Sequence, residues 1–363
     1  MSEVARLSSI MHETPSPNSE AAPRLTFGIY PGNATGSDSP EMLVGTPDDP
    51  ARIQAALDDL QGDGRPFIVR GYIPFHDASC SRPVTSPTPE DVAQYARDGR
   101  RLDVVLQYQS ASGDVDAYVN FVRRQVRRLG SIADSVQVTE EANFIDGPPV
   151  IDGTFPRVRE ALVKGVLAAK DEATRLGFDH LKVGFNAVPS FNPSDDFWHA
   201  IGELGRRPFV EALDYVGLDF FPGVFRPAAP DGQPGDLRQM VVVILRAIRE
   251  SWMPAAGIPA SVPIHVAENG WPTSPDRSYE RQAAALETII CTIHDYRGNY
   301  RVTRYQLFDL RDAESSNPDI FYQFGILRDD YTPKPAFEVY RRLIAELGES
   351  RGCRLSPNGR PRP

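Results

Sequence analysis

The run Pro263 to Thr273, Pro-Ile-His-Val-Ala-Glu-Asn-Gly-Trp-Pro-Thr, ends an apolar stretch abruptly at a carboxylate, a turn signal and an indole. Ile264, His265, Val266 and Ala267 read as a short buried strand, and Asn269-Gly270 breaks it, because both residues tolerate positive φ. Glu268 is therefore expected at the C-terminal tip of that strand, with Trp271 beside it as a flat apolar face. Upstream, the run Ser135 to Glu140 ends in a second concentration of acids, Glu140-Glu141. Carboxylates at such positions act as nucleophile, general acid or general base when their surroundings push their pKa values apart. Each acid also has a plainer reading, Glu268 as the cap of the next helix and Glu140-Glu141 as solvated loop acids. Arg70, inside an apolar run, must be paired whichever reading holds, since an unpaired buried charge is costly.

Positioning these groups falls to a repeating pattern. Apolar, β-branched runs occur at Leu25 to Tyr30, Pro66 to Tyr72, Leu102 to Tyr108, Ser135 to Glu140, Leu181 to Asn186, Tyr215 to Phe220, Pro263 to Glu268 and Val302 to Phe308. Most of the segments between them carry helical periodicity. Val115, Tyr118, Val119, Val122, Val126 and Leu129 lie three or four apart, as do Leu237, Met240, Val241, Ile244, Leu245 and Ile248. Thr88-Pro89-Glu90-Asp91 reads as a helix start before Val92 and Tyr95, and a last helix opens after Pro333-Lys334-Pro335. Eight strand-then-helix units with right-handed crossovers close most naturally into a single (β/α)8 barrel over residues 24–347. A doubly wound open sheet is the alternative, but no G-x-G-x-x-G follows the first strand. Residues 1–23 and 348–363 read as disordered tails, and Phe221 to Gly235 as a long loop.

Composition narrows the partners. Among 363 residues, 41% are hydrophobic, enough for a large core, and a net charge of −10 argues against nucleic acid. Cys80, Cys291 and Cys353 are too few and too scattered for a disulfide framework or a zinc site, which reads as a reducing compartment. No leader pattern opens the chain and no run is long and apolar enough to span a bilayer, so a cytoplasmic location is expected. The histidines at 12, 76, 180, 199, 265 and 294 show no metal-ligand spacing, so neither a metal nor another cofactor is expected.

In a barrel the chemistry sits where strands end. The tips here carry Arg70 to Tyr72, Gln107-Tyr108-Gln109, Glu140-Glu141, Asn186, Asp219-Phe220-Phe221, Glu268 to Trp271 and Phe308-Asp309. Carboxylates, amides and aromatic rings together suit a sugar, whose hydroxyls need donors and acceptors while its C–H faces pack on rings. A small-molecule or oligosaccharide substrate follows.

Two of these tips resemble a family. Val136 to Asn143, Val-Gln-Val-Thr-Glu-Glu-Ala-Asn, is similar to the strand-four signature of the clan A retaining glycoside hydrolases, an apolar strand followed by Asn-Glu-Pro-Asn. Ala-Glu-Asn-Gly-Trp-Pro-Thr looks like their strand-seven nucleophile segment. The resemblance implies a retaining double displacement, with Glu141 as acid/base on the Glu-x-Asn match and Glu268 as nucleophile. It implies further that Arg70 holds the nucleophile. Glu140, Asn186, Phe221, Trp271 and Tyr108 are the further candidates for substrate binding. Two positions depart from the pattern. Glu140 stands where the clan has an Asn that meets the sugar 2-hydroxyl, and Phe221 stands where it has a tyrosine that contacts the nucleophile. The departures motivate a rival reading, a catalytically inactive carbohydrate-binding barrel. Strand alternation does not choose between Glu140 and Glu141.

Overall fold

The computed structural model describes residues 22–36, 43–77, 88–147, 151–225 and 236–348. Eight parallel strands close in chain order, each bonded to its sequence neighbours and β1 to β8. They are β1 (Thr26–Ile29), β2 (Phe67–His76), β3 (Arg100–Gln109), β4 (Ala133–Val138), β5 (Lys182–Ala187), β6 (Tyr215–Asp219), β7 (Ile264–Asn269) and β8 (Val302–Leu307). All eight fall on the apolar runs expected from sequence. Nearly all the expected tails, residues 1–21 and 349–363, and residues 226–235 of the expected long loop lie outside the described residues.

The outer layer comprises α1 (Pro50–Gln61), α2 (Val115–Leu129), α3 (Val158–Leu176), α4 (Phe197–Ala212), α5 (Leu237–Ala247), α6 (Tyr279–Tyr300) and α7 (Pro335–Leu347). Their starts are chemically marked. Asp114 accepts from the Ala117 amide at the head of α2, Ser278 accepts from Arg281 at the head of α6, and Pro335 opens α7. The expected stripes turn inward: Tyr118, Val122 and Val126 of α2 and Phe337, Tyr340 and Leu343 of α7 are buried. Each large apolar side chain so buried contributes about 1.5–3 kcal/mol. The second unit differs from expectation. Among the described residues the β2–β3 link holds no α-helix, only a 3-10 turn at Val92–Tyr95, capped by Asp91 rather than Thr88.

A polar network crosses the barrel interior. Arg70, wholly buried on β2, gives Asp103 on β3 an ion pair at 2.6 Å. Asp103 also accepts from Gln306 on β8 at 2.6 Å, and Arg304 donates to Ser135 at 2.5 Å. Pairing offsets the cost of burying these charges and leaves each side chain one low-energy position.

Two sequence readings change. Gly270 does not adopt positive φ; the turn after Glu268 needs a glycine because a Cβ there would overlap the Phe308 carbonyl oxygen. Asn269 remains in β7, where its side chain donates to the Phe220 carbonyl at 2.7 Å and accepts from the Tyr305 hydroxyl at 2.8 Å. Cys291, buried on α6, is disulfide-bonded, so the argument from scattered cysteines for a reducing compartment loses its basis. Among the described residues no helix is long and apolar enough to cross a membrane.

Candidate active site

Glu268 reaches the C-terminal rim through a fault in register. Along β6 and β7, Leu218 pairs with Val266, but the next β6 residue, Asp219, pairs with Glu268. The slip sets two carboxylates side by side on adjacent strands. Beyond the end of β4 the alternation of side chains stops, because Thr139 and Glu141 take positive φ of 64° and 48°. Consecutive acids can then face one site. Glu140, Glu141, Asp219 and Glu268 each place one carboxylate oxygen within 4.8 Å of the others.

Cations and amides meet this cluster from below. Arg70 donates through Nη2 to Gln137 at 3.0 Å and to both Glu140 and Glu268 at 3.4 Å, and through Nε to the Tyr72 hydroxyl oxygen at 2.8 Å. The Tyr72 hydroxyl in turn donates to Glu268 Oε1. Glu140 accepts from Gln137 at 2.7 Å and from Asn186 at 3.1 Å, and Asn186 also donates to Asp219. Glu141 is different. Its backbone N–H donates to Asn186 Oδ1 at 2.8 Å, whereas its half-buried carboxyl has no hydrogen-bond partner among the described residues.

Burial, and after it the surrounding carboxylates, pushes Glu140, Glu141 and Asp219 well above the usual carboxylate range. For Glu141 the neighbours responsible are chiefly Asp219 and Glu268. A proton is therefore held in the cluster at pH values where an exposed glutamate has lost it. Asp152 lies beneath, its Oδ2 accepting the backbone N–H groups of Tyr108 at 2.6 Å and Glu140 at 2.7 Å. Burial raises its pKa to about 8. The four carboxylate oxygens of the cluster also lie near enough together to hold a divalent cation between them.

The residues expected from sequence divide by position. Glu140, Glu141, Glu268, Arg70 and Asn186 converge at this rim, and Phe221 stands half-buried at its side, against Phe308. Arg70 and Asn186 are wholly buried and reach carboxylates rather than a ligand. Trp271 is 3% exposed, with Arg277 and Arg281 lying 4.9 and 5.5 Å from its ring, so it offers no face to a sugar. Tyr108 is wholly buried in the core, its hydroxyl on the Pro156 carbonyl at 3.0 Å and its ring against Phe75 and Tyr118. Both are packed into the protein in this structure. Sequence reasoning placed Tyr72 and Asp219 at strand tips without giving either a role, and did not single out Asp103, Gln137 or Asp152. A role for Tyr72 was within reach, since side chains two apart on a strand share a face and Arg70 was already singled out.

No family model and no curated protein matches the chain. Solved structures do. A family 39 glycoside hydrolase from the gut symbiont Bacteroides cellulosilyticus WH2 superimposes with TM-score 0.57 at 15% identity, covering 91% of this chain and 65% of that one. The barrel is similar in fold to that enzyme. The GH39 enzyme from Xanthomonas axonopodis pv. citri gives TM-score 0.54 at 16% identity over 92% of this chain and 68% of that one. The β-glycosidase from the hyperthermophile Thermosphaera aggregans gives 0.54 at 13% identity, covering 93% of this chain and 97% of that one. At such identities the likeness is one of fold, and this chain spans only about two thirds of the length of the two GH39 proteins.

Proposed function

We propose that this protein is a glycoside hydrolase that cleaves an O-glycosyl bond by double displacement, with retention of configuration. Glu268 attacks the anomeric carbon as the bond to the leaving oxygen breaks, and Glu141 gives that oxygen its proton. A glycosyl ester on Glu268 results. Glu141, now a carboxylate, takes a proton from water, which displaces Glu268 and returns both acids to their starting states.

The observation that carries this reading is the convergence of Glu140, Glu141, Asp219 and Glu268 at one rim, one carboxylate oxygen of each within 4.8 Å of the others, close enough for a retaining pair among them. Retaining enzymes hold their carboxyls roughly 5 to 5.5 Å apart, whereas inverting ones leave about 6.5 to 9.5 Å for a water. The surroundings suit the division of labour. Glu268 accepts from Tyr72 and lies beside the Arg70 guanidinium, contacts that hold its carboxyl in place at the rim. Glu141 is pushed toward its protonated form, and its carboxyl has no hydrogen-bond partner among the described residues. Glu140 is held by three donor side chains and is better placed to anchor a donor-rich part of the sugar than to shuttle a proton.

Phe221, which favours the rival reading of an inactive carbohydrate-binding barrel, is offset by Tyr72, whose hydroxyl reaches the nucleophile from β2 instead of β6. A panel of nitrophenyl glycosides, with the first-formed product followed by NMR, tests the proposal. Turnover with retention is expected. Ligand-induced stabilisation without turnover would establish the binding reading in its place.

A further inference from the structure

One side of the rim is lined by aromatic rings. The Phe308 ring, at the end of β8, stacks on Tyr30 at 5.3 Å between centroids and meets Phe324 at 5.8 Å and Phe221 at 6.2 Å. Phe221 and Phe324 both continue to Phe225, at 5.6 and 6.3 Å, and Phe225 stacks on Phe321 at 5.7 Å. The row starts at the nucleophile, since Tyr30 packs edge-on against Tyr72, which hydrogen-bonds Glu268. It ends in the open: Phe324 is 2% exposed and Phe308 8%, but Phe225 is 52% exposed.

Five phenylalanines in succession carry no N–H or O–H group. A second sugar ring could lay its C–H face on these rings, but its hydroxyls would find no donor or acceptor in the five side chains, and unpaired polar groups lose affinity when buried. An alkyl or aryl group would lose nothing and gain apolar contact. The opposite side of the rim is made of Glu140, Glu141, Asp219 and Asn186, which suit a hydroxyl-rich ring. Resting on the hydrolase reading, we propose that the substrate is a glycoside with an apolar aglycone, alkyl or aryl. The Phe221–Phe225–Phe321 face, backed by the buried Phe324 and Phe308 rings, receives that aglycone while the glycone lies over the carboxylates.

Alkyl glycosides test this without confounding it by leaving-group acidity, because methanol and hexanol leave almost equally well. Matched methyl and hexyl glycosides of glucose, galactose, mannose and xylose, in both anomers, are compared by kcat/KM and by the thermal shift they produce. A hexyl-to-methyl ratio of roughly tenfold or more is expected on the sugar that is turned over. The ratio should fall several-fold in Phe225→Ala and Phe321→Ala, both at the open end where folding is least at risk. It should persist in Phe191→Ala, whose ring packs instead on Trp252. Turnover with a ratio near one would overturn the aglycone wall and leave the hydrolase standing. Hexyl-selective stabilisation without turnover would uphold an apolar site and overturn the hydrolase, and no response to any glycoside would count against both.

Discussion

The Tyr72 hydroxyl, on β2, donates its hydrogen bond to Glu268 on β7, while its own oxygen accepts from Arg70 Nε at 2.8 Å. Tyr72→Phe keeps the ring's packing on Tyr30 and removes both bonds of the hydroxyl, the one to the carboxylate and the one from Arg70, which keeps its ion pair with Asp103. A hydrogen bond to a charged group contributes about 1.5–3 kcal/mol, so kcat should fall roughly 10- to 100-fold with little change in melting temperature. Steady-state kinetics and a thermal melt on the same preparation check both halves.

Glu141→Gln removes the proton and keeps the shape. General acid catalysis contributes roughly 100- to 10,000-fold, so alkyl glycosides should lose that much while nitrophenyl glycosides, which leave without a proton, lose far less. Added azide should restore part of the second displacement as a glycosyl azide. Equal losses on both substrate classes would move the acid role to Glu140 or Asp219. In the unsubstituted protein, kcat/KM for alkyl glycosides should hold above the usual carboxylate range and fall as pH rises through the raised Glu141 value.

The closed barrel was readable from the sequence because its signal is redundant: eight apolar runs at β spacing, separated by amphipathic stretches, each report the same fold. Glu268 was readable too, at the abrupt end of β7. The choice at Glu140-Glu141 was not, since it depends on left-handed turns at Thr139 and Glu141, conformations that non-glycine residues seldom signal. Asp219 joins the cluster through a one-residue register slip, and Asp152 arrives from a loop, so neither has a periodic signature. The burial of Trp271 was unreadable for a different reason. Its place beside Glu268 in sequence says nothing of the two arginines that cover its ring.

Removing Asp103 should test the network beneath the site. It takes the shortest ion pair of Arg70, at 2.6 Å, with both side chains buried. Asp103→Ala leaves an arginine short of its compensating charge, and losing one partner of a buried pair costs about 3–5 kcal/mol. Denaturant titration should show a loss of that size, with no comparable change for Arg207→Ala, whose partner Glu211 is exposed.

Asp152 should make stability fall with alkali. Its folded pKa, about 8, lies above the unfolded value of roughly 3.9, so its contribution is complete below the lower value and lost as pH rises to the upper. Asp152→Asn keeps an oxygen for the Tyr108 and Glu140 amides and does not titrate. Melting temperatures between pH 4 and 8 should decline less steeply in the variant than in the parent; parallel slopes would remove Asp152 from the account of pH dependence.

The covalent step admits one decisive measurement. A dinitrophenyl 2-deoxy-2-fluoro glycoside of whichever sugar is turned over slows the second displacement, so the glycosyl ester accumulates and can be located by peptide mass mapping. One fluoroglycosyl group on the peptide containing Glu268, with fragment ions assigning it to that residue, is the expected result. A label on Glu140, Glu141 or Asp219, or inverted product with no label at all, would contradict Glu268 as the nucleophile of a retaining enzyme.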